Sequence, residues 1–122
     1  MAGGWMTRST SMFQSGPAGD QVMFARAELD RILRVYGVMV AGGEWRDYAI
    51  DGLTDRAEFS IFRNAAEFPI YRIVKTPADA RKQGAWKVVA AGGAILKRGH
   101  ELDQVLKVFD RQIAKLSWGS ID

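Results

Sequence analysis

The residues best placed to do chemistry in this chain are cations. Lys97-Arg98-Gly99-His100 stands where an alternating, strand-like stretch gives way to helical spacing. A helix N-terminus offers free backbone N–H groups and positive potential, so cations beside it would hold a phosphate or carboxylate. Glu101 and Asp103 put negative charge at the same end, and Gly99 with His100 serves equally well as turn and cap. That structural role is the simpler reading. A second set is the row Lys107, Arg111 and Lys115, spaced by four along the outer face of the helix that follows. Together with Arg81, Lys82, Lys87, Lys97 and Arg98, it would make a basic surface around one end of a sheet. Such a surface suits nucleic-acid phosphates, with Tyr71 and Trp86 as the aromatics to stack on bases. Against it, Trp and Tyr in strands usually belong to the core. A cationic helix row is usually a solvated face, and Asp103 and Asp110 dilute this one.

Groupings that carry enzymatic chemistry are missing. There is no cysteine, so thiolate metal sites, cysteine nucleophiles and disulfides are excluded. The single histidine, His100, excludes histidine-rich metal centres. There is no GxSxG elbow, no phosphate loop closed by Gly-Lys-Ser/Thr, and no GxGxxG after a strand. Asp47, Asp51 and Asp55 have the spacing of a calcium loop, but turns also attract Asp for its backbone hydrogen bonds. The turn reading is preferred. The expectation is a protein that is not an enzyme, with no metal and no cofactor.

Charge is unevenly distributed. Residues 1–70 hold 7 Lys or Arg against 9 Asp or Glu, and residues 71–122 hold 10 against 5. The basic second half points to an acidic partner, either protein or nucleic acid. No apolar run approaches the roughly 18 residues of a membrane span. Met1 to Gln14 also lacks the basic start and apolar stretch of a secretion signal, so a cytoplasmic location is expected.

The elements that would position these cations can be read from periodicity. Residues 1–21, with Gly3, Gly4, Gly16, Pro17 and Gly19, read as a flexible tail in which Trp5, Met6, Met12 and Phe13 could form a docking motif. From Ala25 to Ala41, Leu29, Ile32, Leu33, Tyr36 and Val40 make one helical stripe, ended by Gly42-Gly43. Gly37 within it reads as a close packing contact. Alternation then takes over at Tyr48/Ile50, at Ala57/Phe59/Ile61, and from Ile70 to Thr76. Trp86–Ala91 and Ala94–Arg98 flank Gly92-Gly93, which signals a two-residue hairpin. That turn would set Ala90 opposite Ile95 and Val89 opposite Leu96, with Val88 opposite Lys97 and Lys87 opposite Arg98. Pro77 to Ala85 reads as the longest and most mobile loop. Leu102, Val105, Leu106, Phe109 and Ile113 stripe a second helix from about Glu101 to Leu116.

The order α-β-β-β-β-β-α predicts a two-layer α+β domain over residues 22–118, with a short end at 119–122. It would be an antiparallel meander of four or five strands with both helices on one face. The opposite face must then meet water or a partner, and neither side of the predicted hairpin is cleanly polar. A half-apolar face or an unpaired edge commonly marks dimerisation or docking. The expected function is an interaction module that self-associates or docks on another protein through sheet face, edge or tail. Nucleic-acid binding and anion binding at Lys97–His100 are the alternatives.

Four stretches together resemble a small bacterial family known only as a domain of unknown function. They are RAELDRILRVYG (Arg26–Gly37), EWRDYAID (Glu44–Asp51), YRIVK (Tyr71–Lys75) and ILKRGHELDQVLKVFD (Ile95–Asp110). The resemblance runs from about Phe24 to Asp110. It implies a short stand-alone bacterial cytoplasmic protein and assigns no activity, ligand or catalytic residue.

Overall fold

The computed structural model describes residues 21–64 and 68–121. The tail expectation, with Trp5, Met6, Met12 and Phe13, therefore lies outside the described residues.

The first helix, α1 (Arg26–Ala41), forms where the apolar stripe predicts it. Ile32 and Met39 are fully buried, and Leu29, Leu33 and Tyr36 pack beside them. Its N-terminus is held by half of a capping box: the Glu28 carboxylate accepts the Ala25 N–H at 2.7 Å, but the alanine methyl returns no bond. The same carboxylate oxygen receives Lys75 Nζ at 2.8 Å, and Lys75 also donates to the Met23 carbonyl at 2.9 Å. Phe24 stacks on Trp86, ring centroids 6.1 Å apart. These contacts fasten the segment before the helix to the sheet. At the other end Gly43, with φ of +79°, supplies the left-handed residue that stops the helix. Gly37 departs from expectation: it is exposed, and a Cβ there would meet nothing within 4 Å.

Five strands follow in a meander: β1 (Asp47–Gly52), β2 (Ala57–Phe62), β3 (Tyr71–Lys75), β4 (Trp86–Ala90) and β5 (Ile95–Gly99). Every neighbouring pair is antiparallel, and the order in the sheet is the order in the chain. The β1–β2 turn is closed by Leu53 N–H donating to the Arg56 carbonyl at 2.8 Å.

The β4–β5 connection corrects the sequence reading near its tip. Ala90 N–H donates to the Ala94 carbonyl, so three residues rather than two form the loop. Val89 faces Ile95, while Val88/Lys97, Lys87/Arg98 and Trp86/Gly99 pair as expected, which leaves Leu96 as an extra residue in a bulge. Gly92 and Gly93 both have φ above +90°, so the second glycine serves the longer loop as well. Nor is Pro77–Ala85 featureless. Pro77–Asp79 is a 3-10 turn, and Lys82 and Gly84 N–H groups both donate to the Asp79 carbonyl at 3.0 Å.

The second predicted helix is broken. It comprises α2 (Leu102–Leu106), a 3-10 turn at Lys107–Phe109, and α3 (Asp110–Ile121). A tighter turn changes the phase of the side chains, and Phe109 still ends fully buried. It meets Trp45 and Tyr71 edge-on, each at 5.1 Å between centroids.

Both helical ends of the chain pack on one face of the sheet. In one layer Phe59, Ile61, Ile73, Val88 and Trp86 meet Ile32, Met39, Leu102, Val105 and Phe109 in the other. Tyr36 sits in this layer against Tyr48 and Phe59. Burial, then the charges of Asp47 and Tyr48, push its phenol from 10.0 up to about 12. The unfolded phenol ionises near its ordinary value while the folded one keeps its proton. Tyr36 therefore contributes stability in full below pH ~10 and loses it as pH rises towards ~12. Urea midpoints at pH 8 and pH 11 should show a smaller alkaline loss in Tyr36→Phe than in wild type. Equal losses would contradict this account.

Candidate interaction surface

Side chains alternate across a strand, so the register assigns each to a face. The row Ile50, Phe59, Ile73, Val88 lies under the helices. The neighbouring positions point the other way, and among the described residues no helix lies over them. Two rows cross that open face. One reads Asp51, Glu58, Val74, Lys87, Arg98, and the other Ala49, Ser60, Arg72, Val89, Ile95.

The face is neither bare apolar surface nor simple solvated polarity. Val74, Val89 and Ser60 are buried, at 2%, 6% and 6% exposure. Val74 is flanked in register by Glu58 and Lys87, and Ser60 and Val89 by Arg72, long side chains whose methylene stems lie along such neighbours; the Glu58 side chain is itself only 12% exposed. Ile95 and Leu96, by contrast, are more than two-fifths exposed. Glu58 is the anchor of the charged layer. It accepts Arg56 Nε at 2.7 Å and lies 3.6 Å from Arg72 Nη1. Hydrogen bonding and charge from Glu58 hold the Arg56 guanidinium more firmly protonated than usual. A shallow depression of about 220 Å³ lies between Glu58 and Arg72 on one side and Lys87 and Ile95 on the other.

The predicted cations do not form one surface. Lys87 and Arg98 lie side by side on the open face. Lys97, which pairs with Val88, belongs to the helix side, so alternation separates it from Arg98 and the Lys97–His100 cluster does not converge. His100 is exposed, and the helix after it has only five residues. Arg81 and Lys82 are exposed on the loop before β4, where Gln83 accepts Arg98 Nη1 at 2.7 Å. Lys107, Arg111 and Lys115 are exposed on the helical layer, away from the buried stripe of Leu102, Val105 and Phe109.

Neither proposed stacking aromatic presents a free ring. Trp86 is 6% exposed beneath Phe24, and Tyr71 packs against Trp45 and Phe109 while its hydroxyl accepts from Gln112 at 3.3 Å. Sequence reasoning missed Arg56, Glu58 and Arg72, and read Asp51 as a turn residue, whereas it lies in β1. The signal available was that Glu58 and Arg72 occupy polar positions of alternating stretches, but bringing them onto one face with Lys87 needs the register of three strands, β2 to β4.

Among the described residues, no three His, Asp or Glu side chains are grouped to hold a metal ion. No described helix is long and apolar enough to cross a membrane. No curated protein and no solved structure matches the chain. A family profile does match, over residues 22–106, from the strand-fastened segment before α1 to the end of α2. The chain therefore belongs to the family described as "Protein of unknown function (DUF2794)".

Proposed function

We propose that this protein is a protein-interaction module that docks through the helix-free face of its sheet. The observation that carries the reading is the combination on that face of exposed Ile95 with ordered charges around Glu58. A mixed patch of this kind is the ordinary composition of a non-obligate interface. The nucleic-acid reading has less support: its cations divide between the open sheet face and the outer side of the helices, and its aromatics are packed inside.

The test compares two charge reversals, Lys87→Glu/Arg98→Glu on the sheet and Lys107→Glu/Arg111→Glu/Lys115→Glu on the helices. Protein binding should fail only in the first. If binding to labelled duplex DNA is tight and fails only in the second, the docking reading is wrong.

A further inference from the structure

Across the open face, charge changes sign in order along one register row. Asp51 and Glu58 stand on β1 and β2, Val74 on β3, and Lys87 and Arg98 on β4 and β5. The row is antisymmetric about Val74. Each end also sets like charges directly opposite one another on adjacent strands, Asp51 beside Glu58 and Lys87 beside Arg98, an arrangement that destabilises a sheet. Arg56 and Arg72 relieve Glu58. Among the described residues Lys87 and Asp51 have no ion-pair partner, and the contact of Arg98 is the neutral Gln83. The chain thus neutralises the acidic pair at Glu58 and leaves the basic pair, Lys87 beside Arg98, without a counter-charge of its own among the described residues. Local rules are broken in this way where a site serves a partner.

We infer that the occupant of this face is a second copy of the same chain, related by a two-fold axis running along β3 between the two sheets. This inference rests on the docking reading above. A rotation about that axis lays Asp51 of one copy over Arg98 of the other and Glu58 over Lys87, and does so twice, as an isologous contact requires. In the neighbouring row it sets Ala49 against the exposed Ile95 and Ser60 against Val89. Arg72 is the one charged residue brought near its own copy, and it is turned aside towards Glu58 at 3.6 Å. Sheets stacked face to face in this way keep their strands nearly aligned. Five strands ~4.8 Å apart and ~17 Å long offer a face of roughly 400 Å² before corrugation. That is below the usual ~800 Å² per partner, so the pair is a weak, reversible dimer of micromolar affinity that loosens with salt.

The test uses the full chain in sedimentation velocity from roughly 1 µM to 500 µM, a range chosen to bracket a small interface. Wild type should pass from monomer to dimer. Asp51→Arg and Arg98→Asp should each weaken the dimer at least tenfold, because each puts like charges together at both ends of the contact. Each substitution also turns a like-charged cross-strand pair within the chain into an opposite one, so neither should harm the fold. Mixed together, the two variants should form a heterodimer about as tight as wild type, since every facing pair is again opposite.

Wild type that stays monomeric throughout, or variants whose mixture does not recover, would overturn the second-copy inference. If wild type is monomeric yet Lys87→Glu/Arg98→Glu still loses a protein partner, the face remains the docking site and only its occupant is wrong. A dimer indifferent to both single variants would lie on another surface and overturn the inference and the docking reading together.

Discussion

Gly84→Ala is expected to leave the chain largely unfolded, or to cost on the order of 3–5 kcal/mol if it folds. Gly84 precedes β4 with φ of +99°, a conformation that L side chains rarely adopt. A Cβ at this position would overlap the carbonyl carbon and oxygen of Gly99 and come within 2.7 Å of the His100 nitrogen. The obstacle is backbone at the end of β5, so no side-chain rotation relieves it. Relief requires separating the loop from the start of α2, with Leu102 and Val105 in the core beneath. Domains of this size have ~5–15 kcal/mol to lose. Gly92→Ala is the internal control. Gly92 has nearly the same φ, +93°, but nothing within 4 Å of a Cβ. It should lose only the cost of the left-handed conformation, ~1–2 kcal/mol. Thermal unfolding of the two variants should differ widely, and similar midpoints would mean that the packing of Gly84 on Gly99 contributes little.

The second large effect concerns binding. Lys87→Glu/Arg98→Glu should weaken docking about 100-fold, since setting like charges against a complementary surface costs several kcal/mol. The fold should survive it. Residues 87 and 98 face each other as like charges before and after the change, so their mutual repulsion is the same in both chains. Surface changes of this kind usually shift stability by within about 0.5 kcal/mol. The triple reversal of Lys107, Arg111 and Lys115 changes net charge more and should leave docking intact. Steady-state affinities of the two variants separate a located interface from a general effect of charge. Equal weakening in both would mean that the contact is non-specific.

Much of the fold was legible because its signals are local. The stripe from Leu29 to Tyr36 and the Gly42-Gly43 stop specify α1, although Val40 of the predicted stripe is exposed and Met39 is buried in its place; alternation at Tyr48/Ile50 and Phe59/Ile61 specifies β1 and β2. The like-charge pairing of Lys87 with Arg98 was visible from the hairpin alone. Details set by tertiary packing were not. The 3-10 turn at Lys107–Phe109 interrupts a stripe that reads as continuous helix, and it leaves Phe109 buried between Trp45 and Tyr71. Gly92-Gly93 suits a two-residue turn, yet the strands close on Ala90 and Ala94 and bulge at Leu96.

Gly37 and Gly84 show the same limit from opposite sides. The first looked like a packing contact and is open, whereas the second drew no notice and lies against backbone. The candidate surface was the least legible part. Asp51, Glu58, Lys87 and Arg98 are spread over nearly fifty residues, and only the pairing of five strands brings them into one row. The cations that did stand out by spacing, Lys107, Arg111 and Lys115, lie on the other layer.

The most direct measurement of which face is covered is lysine reactivity in living cells compared with dilute purified protein. Brief acetylation followed by mass spectrometry reads each lysine separately. Lys87 should become several-fold less reactive in cells, while Lys107 and Lys115 keep the rates they have in dilute solution. Protection of Lys107 and Lys115 with Lys87 unchanged would place the partner on the helices and contradict docking through the open sheet face.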